Sequence, residues 1–80
     1  MADQDLQKAF GSVIRELRTS AGLSQEELAF AADRHFTYIS MIERGRNAVT
    51  ITTLWRLAAA LGVEPSAVVE RVQSQLATAD

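Results

Sequence analysis

An all-α domain is what this 80-residue sequence predicts, on three observations. Apolar residues recur at three- and four-residue intervals through most of the chain. Helix start and stop signals fall at the edges of those segments. No stretch alternates with a period of two over four or more residues, apart from the brief Val49 to Ile51. Together they place five helices in a single compact domain over residues 1–80, with no repeat, linker or low-complexity tract.

The first helix runs from Asp5 to Ala21, where Leu6, Phe10, Val13, Ile14 and Leu17 gather into one stripe and Gly22 can end it in the left-handed conformation. Gly11 within it costs on the order of 1 kcal/mol against alanine, which close contact with another helix would offset. Ser24 reads as the N-cap of the second helix, Gln25 to about Ala32. Glu27, three residues on, completes a capping box, and Leu23 can staple onto Leu28. Leu28, Ala29 and Ala32 offer a small-residue face that another helix can approach closely.

The third helix starts near Phe36, behind His35 as its cap, and ends at Gly45. The fourth spans roughly Ile51 to Leu61 behind Thr50 and is closed by Gly62. The fifth starts with Pro65, which is favoured in a first turn, and runs to about Ala77.

Composition narrows the function. A chain of this size buries roughly 60 to 65% of its extended surface, so its core has to be compact. No cysteine is present, which removes disulfides and thiolate metal sites and suits a reducing cytoplasm. The opening MADQDLQK has no apolar run, and no stretch approaches the roughly 18 apolar residues of a membrane span. A soluble, cytoplasmic protein is expected.

No nucleophile and base pair, phosphate loop or metal cluster is visible, so an enzyme, a cofactor, a metal ion and a small-molecule ligand are not expected. The one histidine, His35, lacks the companions a ligand set needs. Glu26 and Glu27, in a first helical turn, answer the helix dipole.

The formal charge of -2 argues mildly against a nucleic-acid partner, but it conceals a gradient. Residues 34–47 carry Arg34, Arg44 and Arg46 against Glu43, a local charge of +2 that leaves -4 for the rest. Steps of 100° around the third helix put Ile39 and Ile42 together on a buried side. Thr37, Ser40, Met41 and Arg44 fall opposite, within an arc of about 100°. Phe36 and Tyr38 lie on the flanks.

A solvated face would carry Lys, Glu and Gln. Hydroxyls that bond base edges, a methionine that can lie against a thymine methyl and an arginine that reaches guanine or phosphate suit a major groove instead. Thr37, Ser40 and Met41 are therefore candidate base contacts.

Residues 23–45, "LSQEELAFAADRHFTYISMIERG", resemble the helix-turn-helix of the lambda repressor and Cro superfamily, the XRE family, with the motif itself at 24–45. The upstream "FGSVIRELRTSAG" and downstream "TITTLWRLAAALGVEPSAV" match that family's first, fourth and fifth helices, so the similarity runs from about Phe10 to Val69. "RHFTYISMIERGRN" also resembles the controller proteins of restriction-modification systems.

The resemblance implies a lambda-repressor-like fold and duplex DNA as partner. It implies phosphate contacts at Gln25, Arg44, Arg46 and Asn47, with Arg34 counted beside them, and base contacts that add Tyr38 and Phe36 to the set above. Arg18 and Glu43 match a buried ion pair tying the first helix to the third. The sequence departs from the family at Asp33, where glycine is common, at Arg34, usually apolar, and at Phe36, often a polar reader. Asp33 tolerates the left-handed conformation better than most residues.

The fourth and fifth helices, 50–77, carry more apolar surface than one small core absorbs. Trp55 on the fourth and Val68, Val69, Val72 and Leu76 on the fifth form the expected homodimer interface. The sequence therefore predicts a transcription regulator, a repressor or a repressor that also activates, that binds a palindromic operator as a dimer with residues 36–44 in the major groove. The competing expectation is an antitoxin-like or scaffold module whose main partner is another protein.

Overall fold

A computed structural model describes residues 1–78, folded as α1 (Asp3–Ser20), α2 (Gln25–Ala31), α3 (Phe36–Glu43), α4 (Ile51–Leu61) and α5 (Pro65–Ala77). Both α4 and α5 have the bounds their end signals predict. Thr50 Oγ1 accepts from the Thr53 N–H at 3.1 Å to start α4, and Pro65 occupies the opening turn of α5. α1 begins two residues earlier than expected, where Asp3 and Asp5 face the positive end of the helix and Asp5 Oδ2 accepts from the Ala2 N–H at 3.2 Å. The capping box of α2 forms as read. Ser24 Oγ accepts from the Glu27 N–H at 3.0 Å, and Glu27 Oε1 accepts from the Ser24 N–H at 2.8 Å.

α3 stops at Glu43, short of the expected Gly45, because Arg44 and Gly45 close it. The Arg46 N–H reaches back to the Met41 carbonyl at 3.0 Å and the Gly45 N–H to that of Ile42 at 2.9 Å, with Gly45 at φ +73°. This paired closure needs a left-handed residue. The turn after α2 closes the same way, with the Arg34 N–H on the Ala29 carbonyl at 2.8 Å and Asp33 at φ 55° in the place of glycine.

Ile14, Leu28, Ile39, Ile42, Leu57 and Val68 are fully buried and form one core shared by all five helices. An eight-residue helix such as α3 is marginal in water by itself. Ile39 and Ile42 hold it down, and burying each contributes about 1.5 to 3 kcal/mol.

Gly11 lets α1 lie directly against the end of α3. A Cβ there would overlap the Ile42 carbonyl oxygen and come within 3.0 Å of that of Glu43. Gly45 is covered by Lys8 in turn, whose Cα would sit 2.9 Å from an added Cβ. α3 is thus seated backbone to backbone on α1. The radius of gyration, 11.5 Å, matches the value of about 11.6 Å for a single domain of this length.

Candidate nucleic-acid interface

α3 presents the face its periodicity predicts. Thr37 and Arg44 are exposed, Ser40 and Met41 are half-buried, and Phe36 stands 45% exposed at the leading edge. Tyr38 is half-buried and leans on the core, so its ring is partly committed to packing. His35 starts the helix by accepting the Thr37 N–H on Nδ1 at 3.1 Å. The Arg44 side chain folds back along its helix, with Nε 3.4 Å from the Ser40 carbonyl oxygen. Arg46 is exposed and Asn47 half-buried just beyond.

The trailing end of α3 is locked by a charged network. Arg18 Nε and Nη2 donate to the two Glu43 carboxylate oxygens at 2.6 and 3.0 Å, and Arg18 Nη1 donates to the Leu23 carbonyl at 2.9 Å. Gln25 Nε2 adds a donor to Glu43 Oε1 at 3.0 Å. One carboxylate, 3% exposed, therefore joins α1, α2 and α3. The hydrogen bond to Glu43 raises the Arg18 pKa above its ordinary value, against the opposing effect of burial. No buried side-chain nitrogen or oxygen among the described residues lacks a partner, so the network is complete, which a buried charge requires.

Two side chains expected at phosphates have internal partners. Gln25 donates to Glu43, and its Nε2 carries a second hydrogen. Arg34 turns toward α4, where its Nε donates to Thr53 Oγ1 at 3.2 Å, and its Nη1 donates to the Asp33 carbonyl at 2.9 Å. Neither partnership has a local sequence signal, because the partners lie 18 and 19 residues away.

The apolar stripe expected at a dimer interface is corrected by the structure. Val68 and Val72 are 0% and 6% exposed and belong to the protomer's own core, so they have almost no surface to give a partner. Leu76 is half-buried against that core. Trp55 (56% exposed) and Val69 (50%) do face outward, and Ile51, at 71%, extends their patch. Beside them runs a groove lined by Leu6, Phe10, Val49 and Leu54. Phe30, on the outer side of α2, is also exposed.

Among the described residues no cluster of His, Asp and Glu could hold a metal ion. No described helix is long and apolar enough to cross a membrane.

Comparison with known proteins returns one architecture. The Helix-turn-helix family profile matches residues 14–68. The control protein C.BamHI of Bacillus amyloliquefaciens is 47% identical over 57 residues, 70% of each chain. The crystal structure of the restriction-modification controller protein C.AhdI from Aeromonas hydrophila superposes with a TM-score of 0.76 at 42% identity, covering 78% of this chain and 94% of that one. The controller protein C.Esp1396I, solved as a tetramer with its natural 35-base-pair operator, gives a TM-score of 0.84 at 30% identity over 91% of this chain and 96% of its own.

Proposed function

The chain belongs to the Helix-turn-helix family, and from that premise we propose that it is a sequence-specific DNA-binding transcription regulator acting as a homodimer on a palindromic operator. One observation carries the reading. α3 buries Ile39 and Ile42 and turns Thr37, Ser40, Met41 and Arg44 to the outside, within a stretch of the chain that has a basic excess. That combination fits base edges flanked by phosphates.

Thr37, Ser40 and Met41 read bases from the middle of the face, with Phe36 and Tyr38 at its margins. Arg44, Arg46 and Asn47 take phosphates on one side, and the second Nε2 hydrogen of Gln25 takes one on the other. The glutamate network keeps the reading helix at a set angle to α2, so phosphate contacts made by α2 fix where α3 enters the groove.

Two copies meet through the patch of Ile51, Trp55 and Val69. Two-fold symmetry then places two α3 helices on half-sites about one helical turn, 34 Å, apart or a multiple of it. The operator complex of C.Esp1396I supports assembly of such dimers on longer operators. Repression follows where the operator overlaps a promoter, and activation needs only a contact with a neighbouring polymerase. A protein that reads duplex DNA in a bacterium works in the cytoplasm.

Selection of bound duplexes from a random pool at two salt concentrations tests the proposal. The expected product is a palindrome that persists at the higher salt. A pool with no enriched sequence there would refute it.

A further inference from the structure

We propose that Thr53 is a positioning residue, which, through Arg34 in the turn between α2 and α3, keeps the reading helix in register with the dimer face. The inference rests on the dimeric reading above. α3 packs on α1 and α2, whereas Ile51 and Trp55 belong to α4, which packs on α2, α5 and α1. The helix that reads DNA and the helix that meets the partner copy are thus related through α1 on one side and through α2 and the turn that ends it on the other.

At that turn two consecutive side chains cross to α4. Arg34 Nε donates to Thr53 Oγ1 at 3.2 Å, and the Asp33 carboxylate lies 3.6 Å from Arg56 Nη1. Thr53 and Arg56 are three residues apart and share one face of α4. The two ties carry different weight. The Asp33 and Arg56 pair is exposed and weak. Thr53 is 2% exposed, and its hydroxyl accepts from both Arg34 and Thr50 Oγ1, the latter at 3.1 Å.

A buried hydroxyl costs free energy unless it is bonded, and valine has the same shape without the cost. What the hydroxyl adds at this position is a grip on the turn. Arg34 matches that role, since its Nη1 holds the turn backbone at Asp33 while its Nε holds α4.

Registration matters because one base pair of extra spacing shifts a half-site by about 3.4 Å and turns it by about 34°. A dimer whose reading helices are fixed relative to the interface rejects such a site. One whose α4 can shift against the turn accepts it.

The test compares the full chain with Thr53→Val, Thr53→Ser and Arg34→Met on duplexes that carry the selected palindrome at its preferred spacing, at one base pair more and one fewer, and on a duplex with a single half-site. Wild type should prefer its own spacing by about tenfold or more, and Thr53→Ser, which keeps the hydroxyl, should match it. Thr53→Val should drop to about threefold while its half-site affinity stays within about twofold and it still sediments as a dimer.

Arg34→Met should lose the same preference, a ratio that any uniform fall in affinity leaves untouched, which keeps the test valid if Thr53→Val folds poorly. Full spacing preference in either folded variant overturns the proposal. A wild type indifferent to spacing overturns the dimeric reading itself, an outcome recognisable before any variant is measured.

Discussion

Arg44 and Arg18 are both arginines within or beside the motif, yet the environment assigns them opposite work. Arg44 is exposed on the reading face and bonds only its own helix. The role proposed for it is electrostatic, so Arg44→Ala should weaken binding to all duplexes alike and lower the slope of log affinity against log salt by about 1, checked by titration over a range of salt. Arg18 is enclosed, with Glu43 as its partner. Arg18→Ala leaves that carboxylate buried with Gln25 as its remaining side-chain donor, so the loss should fall near the lower end of the range for a broken buried pair, about 3 kcal/mol. Thermal unfolding should show this as a Tm lower by more than about 10 °C.

The pairing of Arg18 with Glu43 is visible in the sequence only through family resemblance, because no spacing rule links residues 25 apart. The bonds from Gln25 to Glu43 and from Arg34 to Thr53 are hidden for the same reason. They exist only once α2 has been placed against its neighbours.

Elements were far more legible, since a helix end is a local event. Thr50, Gly62 and Pro65 mark the bounds of α4 and α5 by chemistry confined to one turn, and both helices keep those bounds. The end of α3 is harder to read, because no residue type separates Glu43 from Arg44, where the backbone has already begun to close the helix.

The start of α2 also carries a titration. Glu27 is held below the ordinary carboxylate range, first by the Ser24 N–H and then by the Ser24 hydroxyl. A carboxylate whose pKa falls on folding adds stability above its unfolded value of about 4.5, and the gain disappears as pH drops through the lower folded value. Glu27→Gln should therefore lower Tm at pH 7 and lower it progressively less as the pH falls below 4.5, as thermal melts across that range would show. An equal decrease throughout would mean that the charge is not what the cap uses.

At the scale of the whole molecule, the sequence shows how much apolar surface α4 and α5 carry but not how it is divided. Val68, Val69 and Val72 share one stripe on α5, and the packing of α1 and α4 against that helix decides that Val68 and Val72 go inward while Val69 stays out. The partner surface proposed above is small and centred on an aromatic side chain, the residue type that most often dominates an interface. Trp55→Glu should keep the fold, because the ring is 56% exposed, yet sediment as a monomer and lose the palindrome while still binding a half-site. A Trp55→Glu protein that remains dimeric would move the interface elsewhere.

Asp33, at φ 55° where glycine would be relaxed, has a consequence for how long each copy survives. Holding Asp33 rather than glycine in that conformation costs at most about 1 kcal/mol, which raises the transiently open population up to roughly fivefold over that of a glycine variant. Proteases clear molecules from that population. Asp33→Gly should therefore be cleared more slowly than wild type, which a pulse-chase measurement would show.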